Sequence, residues 1–202
     1  MNLNKLFEAQ RKLDERIVKE KGLENEDLLD KKILALQVEL GELANNWRGF
    51  KFWSENQEPR TYGFDDDKDC EYCNGTGTVR EHPSDTGYSC PDCEGSGFMY
   101  YNPLLEEYVD VLHFILSIGN DLGISKFDEY RIIQPESNIT DCFLSIFECV
   151  SSLDITKDSH DFSYLFRRFK ELGRSLGFTW EQIEQAYFEK NKVNHKRQES
   201  GY

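Results

Sequence analysis

Two pairs of acidic side chains stand within apolar, helix-forming stretches of this sequence. Glu39 and Glu42 are three positions apart in one stretch, and Glu107 and Asp110 are spaced in the same way in another. In a helix this spacing places both carboxylates of a pair on one face, about 5–6 Å apart. Two such helices facing each other would present four carboxylates to a shared cation, and hard oxygen ligands suit Mg²⁺. The spacing therefore predicts a magnesium site.

A solvated helix face is the alternative explanation for each acidic pair. Glutamate side chains on helices mostly point into water, and Glu39 and Glu42 could share a polar face with Asn46. The repetition of the pattern in two similar helices favours the metal site. The spacing alone leaves both interpretations open.

Four cysteine residues form a second constellation. Cys70 and Cys73 make one Cys-x-x-Cys motif, Cys90 and Cys93 make another, and each motif is followed by Gly-x-Gly. Paired motifs with a spacer of this length indicate a structural Zn²⁺ held by four thiolates. A redox role is not indicated, because no alternation of strands and helices surrounds either motif.

The C-terminal segment is basic in an otherwise acidic chain. Lys190, Asn194 and Arg197 fall on one helix face, where two cations and an amide can contact successive phosphates. The alternative is a basic last turn that complements the helix dipole. Beside a site with four carboxylates the phosphate interpretation is favoured, because a Mg²⁺–triphosphate needs both kinds of group.

The elements that must position these groups are predicted to be helices at residues 3–21, 27–47, 103–122, 140–153, 161–176 and 180–197. Apolar periodicity defines their inner faces, and in the first helix it turns Leu6, Leu13, Ile17 and Val18 inward. Glycine residues such as Gly49 are expected to stop the helices.

Residues 57–102 lack helical periodicity and are rich in Gly, Pro, Asp and Cys. A simple loop between the two acidic helices would be much shorter. The chain is therefore predicted to form an all-α helical bundle from residues 1–56 and 103–202, with a small zinc-binding module inserted at residues 57–102.

Composition limits the classes of function. The chain has 202 residues and a formal net charge of −14, which argues against general binding to nucleic acids or anionic membranes but not against a nucleotide.

The N-terminal residues lack the apolar core of a signal peptide, and no run approaches the ~20 apolar residues of a membrane span. A cytoplasmic location is expected, where cysteines stay reduced. Cys142 and Cys149 are predicted to be buried packing residues.

Together these features resemble the dimeric, all-α dUTPases of bacteria, phages and trypanosomatids, relatives of the MazG-like pyrophosphatases. The resemblance is carried by the ExxE helix, by EEYVDVLHFILSIG at residues 106–119 and by AYFEKNKVNHKRQESGY at residues 186–202. It implies a bundle of the all-α NTP pyrophosphatase type, a homodimer, and hydrolysis of dUTP and dUDP with two or more Mg²⁺ ions per site. The cysteine motif separately resembles half of the zinc region of DnaJ-type chaperones. The helical remainder lacks their J-domain signature, so no chaperone function is implied.

The resemblance also implies roles for individual residues. The four carboxylates are expected to bind Mg²⁺. The residues expected to contact the phosphates and the deoxyribose are Lys190, Asn194, Arg197 and Tyr187.

For the base, the resemblance implies that Gln10 reads the uracil edge and that Phe114, next to His113, stacks on the ring. Closure over the base is assigned to Trp47 or Trp53. The family's usual Asn shortly after the glutamine is replaced by Asp14 in this chain, and Asn120 could supply a compensating amide.

The expected reaction is release of pyrophosphate from dUTP by a water that Mg²⁺ activates and a carboxylate deprotonates. Glu42 is the expected base because it lies deeper in the apolar run than Glu39. Lys190 and Arg197 would stabilise charge on the leaving phosphates. Attack is expected at the β-phosphorus, as the resemblance implies.

Other functions remain open at this stage. A pyrophosphatase for dCTP or a modified nucleotide is the nearest alternative, and a zinc-stabilised helical interaction protein without catalysis is the alternative of another class. The zinc insert could rigidify a long loop, cover the neighbouring subunit's site, or bind a protein or nucleic-acid partner.

Overall fold

The computed structural model describes residues 3–82, 85–124 and 133–199, with the backbone alone at 66 and 67. The predicted connection between the third and fourth helices lies partly outside these residues. Among the described residues no helix has the length and apolar character of a membrane span. The described residues form six helices and four short strands: α1 Leu3–Lys21, α2 Leu29–Trp47, β1 Gly63–Asp69, β2 Thr78–Val79, β3 Tyr88–Ser89, β4 Phe98–Tyr101, α3 Pro103–Asp121, α4 Ile139–Thr156, α5 Ser159–Ser175 and α6 Trp180–Glu199.

The predicted all-α core is confirmed, and local sequence signals set several helix ends. Asn102 precedes α3, its side-chain oxygen accepts a hydrogen bond from the Leu105 amide (3.1 Å), and Pro103 is the first helical residue. Before α6, Thr179 accepts from the Gln182 amide (3.3 Å) while the Gln182 side chain accepts from the Thr179 amide (2.9 Å). These reciprocal bonds form a capping box.

The end of α2 differs from the prediction. The helix ends at Trp47, and the left-handed residue that follows is Arg48 (φ +67°) rather than Gly49. Gly49 is needed for another reason, because a Cβ atom there would overlap the Trp47 ring. The glycine thus makes room for an aromatic side chain instead of stopping the helix.

Helix α3 is the central element and contacts α1, α2, α5 and α6. Tyr108 is fully buried, its ring stacks on Phe169 (4.1 Å between centroids), and its hydroxyl donates to the Phe169 carbonyl (3.0 Å). Helices α4 and α5 pack against each other, and α4 also packs on α2. Cys142 and Cys149 on α4 are buried, as predicted.

Helix α1 contributes to two environments. Leu6 and Leu13 are buried in the core, as expected. Ile17 and Val18 are only half-buried and line a cavity between α1, α2, α3 and α6. Both side chains face inward, as predicted, but toward this cavity and not toward the closely packed core.

One residue at the start of the cysteine-rich segment, Arg60, bonds to both helices that the segment connects. The Arg60 amide donates to the Asn46 carbonyl in the last turn of α2 (2.9 Å), and the Arg60 carbonyl accepts from the Leu104 amide in the first turn of α3 (3.0 Å). Beyond this junction β1 and β4 pair in antiparallel fashion, with Gly63 opposite Tyr101. The excursion therefore begins from a hydrogen-bonded stem.

Replacement of Gly119 on α3 by alanine is expected to destabilise the bundle. The added Cβ atom would lie 2.6 Å from Phe162 Cζ and 2.8 Å from Phe7 Cε1, so the free energy of unfolding should fall by about 1–3 kcal/mol. Denaturant unfolding measures the change. Gly41→Ala is the matched control, because a Cβ atom on that helical residue meets nothing within 4 Å and should stabilise α2 by up to about 1 kcal/mol. Equal effects of both substitutions would contradict the close packing around Gly119.

Candidate active site

Helices α2 and α3 bring the acidic residues of the two pairs together. Carboxylate oxygens of Glu39, Glu107 and Asp110 all lie within 4.8 Å of one another. Oxygen atoms from three side chains at this separation suit a hard divalent cation such as Mg²⁺. The side chains present thus fit the cation that the sequence indicated.

Glu42 lies at the edge of this cluster and is exposed, whereas Glu39 is half-buried. The expectation that Glu42 lies deeper than Glu39 was wrong. Residues advance about 100° around a helix, and relative to the buried stripe of Leu36, Leu40 and Leu43 this rotation turns Glu42 further toward solvent than Glu39. Glu42 still raises the pKa of Glu39 and Glu107 through its charge.

Burial and mutual repulsion make these carboxylates weak acids in the absence of a cation. Burial raises the pKa of Glu39 to about 7, the charges of Asp110 and Glu42 add to this, and Lys190 opposes it. Burial and the same like charges raise the pKa of Glu107 to about 7. The pKa of Asp110 is also raised by burial, against the influence of Lys190. A bound cation would relieve this repulsion.

Two residues that the sequence analysis had not assigned to the site hold its charged groups. Lys190 Nζ lies 2.6 Å from Asp110 Oδ2 and 2.6 Å from Glu106 Oε1, and Asn46 Nδ2 donates to Glu107 Oε1 (3.1 Å). Glu106 directly precedes Glu107, and its position four residues before Asp110 was the available signal. Asn46 had been considered only as part of a solvated face.

A cavity of about 470 Å³ begins at Glu39 and Asp110 and extends between α1, α3 and α6. All three residues of the predicted phosphate-binding face, Lys190, Asn194 and Arg197, line this cavity. Gln10 and the adjacent ring residues of α3 line it as well. The predicted site residues found in its lining are Gln10, Glu39, Asp110, His113, Phe114, Lys190, Asn194 and Arg197.

Tyr187 lies behind this lining rather than in it. The side chain is fully buried, and its hydroxyl lies 3.0 Å from Gln10 Oε1 and 3.3 Å from the Leu6 carbonyl oxygen. The expected direct contact of Tyr187 with phosphate or sugar does not match this position. The ring of His113 meets Tyr187 edge to face (4.2 Å), and burial lowers the pKa of His113 to about 3, so the imidazole is neutral at pH 7.

The two tryptophans proposed to close over the base lie away from the cavity. Trp47 packs on Phe143 (5.4 Å between ring centroids), and Trp53 is 65% exposed beside Phe52. Trp47 is at the C-terminal end of α2, whereas the cavity extends from Glu39 toward the N-terminal end of that helix. Neither tryptophan closes over the cavity in this structure.

Asp14 lies at the end of the cavity remote from the carboxylate cluster. It accepts a hydrogen bond from Gln10 Nε2 (2.8 Å). Burial raises the pKa of Asp14, while Lys32 and hydrogen bonds from Gln10 and Ser117 favour its ionised form. Asn120 does not supply a compensating amide to the cavity, because its Nδ2 donates to the Phe7 carbonyl (3.2 Å).

The four cysteines form a separate buried cluster. The Sγ atoms of Cys70 and Cys90 are 3.9 Å apart, and those of Cys73 and Cys93 are 3.7 Å apart. Tetrahedral coordination with Zn–S bonds of about 2.3 Å requires S–S separations of about 3.8 Å. The Gly97 amide donates to Cys93 Sγ (3.2 Å). Burial alone would raise the pKa of Cys93, but this bond and the neighbouring thiols bring the pKa below its ordinary value. The cluster thus fits Zn²⁺.

Comparison with known proteins agrees with the arrangement of the helical residues. A sequence model of a family described as dUTPase matches residues 2–66 and 100–202, which is most of the chain. The residues between the two matched parts include all four cysteines of the buried cluster. A search of curated proteins found no match.

Mg²⁺ affinity is expected to rise with pH, because carboxylates bind the cation only when ionised. With pKa values of about 7, Glu39 and Glu107 are mostly protonated at pH 6. The dissociation constant measured by calorimetry should be about 10- to 100-fold larger at pH 6 than at pH 8, with proton release on binding at pH 6. The metal-free protein should lose stability as pH rises from about 5 to 7, since its folded state holds protons that the unfolded chain has released. An affinity that is independent of pH would contradict the raised pKa values.

Zinc content is expected to depend on the cysteine cluster alone. The purified protein should contain one zinc ion per chain by elemental analysis, and Cys93→Ser should remove most of it because four thiolates complete the coordination. The helical circular dichroism signal should remain, since the cysteine cluster and the helical core are separate. Cys149→Ser, at a buried position of the helical core, is the control and should retain full zinc content. Zinc loss in both variants would argue against the assignment of the ligands.

Proposed function

The chain belongs to the dUTPase family of the all-α type and is a dUTP diphosphatase; from this premise we propose that it hydrolyses dUTP, and also dUDP, with Mg²⁺ as cofactor, to give dUMP with pyrophosphate or phosphate. The observation that carries the proposal is the meeting of Glu39, Glu107 and Asp110 within 4.8 Å at one end of the cavity. Lys190, paired with Asp110, faces the same point.

The four carboxylates Glu39, Glu42, Glu107 and Asp110 would hold the Mg²⁺, two or more ions per site. When bound, Mg²⁺ neutralises phosphate charge and makes a water more acidic. The half-buried position of Glu39 and Glu107 beside other carboxylates supports this role, because the like charges that help to raise their pKa values would favour a cation there. Asn46 keeps Glu107 oriented by donating to its Oε1.

The α6 face would bind the phosphates. Lys190, Asn194 and Arg197 line the same side of the cavity, one helical turn apart, and can contact successive phosphate oxygens. Glu106 holds the ammonium of Lys190 beside Asp110. This position suits stabilisation of the charge that develops on the phosphates as the bond breaks.

Glu42 is proposed as the general base. Its carboxylate is exposed at the edge of the cluster and has no hydrogen-bond partner among the described residues, so it is available to a water. The water gives a proton to Glu42 and its oxygen bonds to the β-phosphorus. The bond from that phosphorus to the oxygen it shares with the α-phosphorus then breaks, and dUMP departs with that oxygen.

The nucleoside would occupy the part of the cavity beyond the phosphates. Phe114 lines this part and is half-buried, as suits a stacking surface, and His113 is a neutral neighbour. Gln10 presents an amide to the base edge, held from behind by Tyr187.

Family membership also supports a proposal on domains and assembly. We propose that residues 1–56 and 103–202 form the catalytic core, that residues 57–102 form a zinc module, and that two chains form a homodimer. Leu34 and Val38 support a dimer, because they are one turn apart on the outer face of α2 and are 62% and 51% exposed. Six unpaired thiols suit a reducing compartment such as the cytoplasm.

Nucleotide hydrolysis by the wild-type protein and by Glu42→Gln tests the proposed reaction. With Mg²⁺ the wild type should release pyrophosphate from dUTP and phosphate from dUDP, and should act far more slowly on dTTP. Glu42→Gln should lower kcat by about 10²–10⁴-fold through loss of the base. Binding of a non-hydrolysable dUTP analogue, measured by calorimetry, should persist.

Glu181→Gln, an exposed change of the same kind on α6, is the control and should leave kcat unchanged. Full activity of Glu42→Gln would remove the base from the mechanism. Absence of Mg²⁺-dependent hydrolysis of dUTP by the wild type would refute the proposed function itself.

A further inference from the structure

The cysteine-rich segment carries more negative charge than its share of the chain. Residues 57–102 contain ten acidic and three basic side chains, a net charge of −7, which is half of the −14 of all 202 residues. A surface of this charge repels the phosphates of nucleic acids and of anionic lipids. The charge therefore favours a macromolecular partner that is positively charged.

Three aromatic side chains lie together on one face of the β1–β4 sheet, and we call them the aromatic platform. Phe64 pairs with Tyr100 across the two strands, and Tyr62 lies two positions before Phe64 on the same face. The centroid of the Tyr62 ring is 5.1 Å from that of Phe64 and 4.7 Å from that of Tyr100. Tyr62 is 50% exposed and Tyr100 is 47% exposed, so two of the three rings present a broad surface to solvent.

The aromatic platform is held in place without a partner. Phe64 is half-buried and packs against the cysteine cluster, and the Tyr100 hydroxyl donates to the Thr61 carbonyl (2.7 Å). A partner would therefore meet rings that are already ordered, and little side-chain entropy would be lost on binding. Tyrosine and arginine are enriched among the residues that dominate the binding energy of protein interfaces.

A carboxylate stands at the edge of the aromatic platform. Glu94 is exposed and forms a hydrogen bond with the side chain of Tyr62. After this bond the carboxylate still has lone pairs for further donors. An aromatic ring attracts a cation within about 6 Å of its centroid, and a planar guanidinium can stack on a ring while it donates to a carboxylate. Rings and carboxylate together thus fit the side chain of an arginine.

We propose that the aromatic platform and Glu94 form a docking surface for an arginine-bearing segment of another protein. Single-stranded nucleic acids also stack their bases on aromatic rings, but the acidic side chains of the segment oppose their phosphates. A second copy of the segment carries the same negative charge, and like charges disfavour its approach. The docking surface does not depend on the proposed hydrolysis and gives the inserted segment a role of its own.

Binding of a fluorescent peptide of six Arg-Gly repeats to the full-length, zinc-loaded protein tests this surface. Fluorescence anisotropy should show saturable binding that weakens as the salt concentration rises. A peptide of six Lys-Gly repeats should bind several-fold more weakly, because an ammonium cannot stack as a guanidinium does. Tyr62→Ala and Glu94→Gln should each raise the dissociation constant for the arginine peptide by about five- to tenfold. Both variants should keep their zinc and their helical circular dichroism signal.

Phe52→Ala and Glu181→Gln are the matched controls. The first removes a ring that is 84% exposed on the helical part of the chain, and the second removes an exposed charge on α6. Both should leave the dissociation constant unchanged. If Tyr62→Ala loses its zinc, Glu94→Gln decides in its place.

Four results would overturn the inference. These are an absence of binding by the wild type, equal affinity for the arginine and lysine peptides, unchanged affinity in Tyr62→Ala and Glu94→Gln, and equal losses in the control variants. Binding of single-stranded DNA that Tyr62→Ala abolishes would also overturn it, in favour of a nucleic-acid partner. The rate of dUTP hydrolysis, measured in parallel, tests the proposed function separately.

Discussion

The repulsion among Glu39, Glu107 and Asp110 is the constraint on which the rest of the structure depends. Carboxylates within 4.8 Å of one another would separate if their helices were free to move. The apolar packing of α2 on α3 prevents this, with Leu36, Leu40 and Leu43 buried on α2. Since α3 is buried on most sides, the packing of the whole bundle offsets the unfavourable free energy of this repulsion. The site is therefore as rigid as the core beneath it.

The other walls of the cavity follow from this arrangement. Once α3 presents Asp110 toward α6, Lys190 can satisfy Asp110 and Glu106 together, and this fixes which face of α6 looks inward. Tyr187, one turn earlier, then reaches α1 and meets Gln10. Polar contacts of α6 thus reach both ends of the cavity, the acidic cluster through Lys190 and helix α1 through Tyr187.

Much of the helical frame could be predicted because its signals are local. Pro103, Thr179 and Gln182 act within one turn, and the apolar periodicity of α3 reflects burial that nearly surrounds the helix. The spacing of the acidic pairs likewise predicted their meeting. The relative burial of Glu39 and Glu42 was predicted wrongly, because depth depends on the angle of a residue around the helix from the buried stripe and not on its place along the apolar run.

The remaining errors concern side chains whose neighbours are distant in sequence. Trp47 packs on Phe143, and Tyr187 is covered through contacts with α1 and α3. The residues next to Trp47 and Tyr187 in the sequence do not indicate these neighbours. The partnership of Glu106 with Lys190 links residues far apart in the chain. The spacing of Glu106 from Asp110 places the two on one helix face but does not show which cation meets them.

One residue, Arg60, ties the base of the cysteine-rich segment to both neighbouring helices. Its amide and carbonyl join the last turn of α2 to the first turn of α3, so the path between the two acidic helices is closed before the excursion begins. The entropy of ordering a long loop grows only slowly with its length, and here the ends are tied by a stem in any case. For the helices, the excursion is equivalent to a short hairpin, whatever it carries at its tip. In a chain built in this way, another segment can replace the cysteine-rich one without a change in the geometry of the active site.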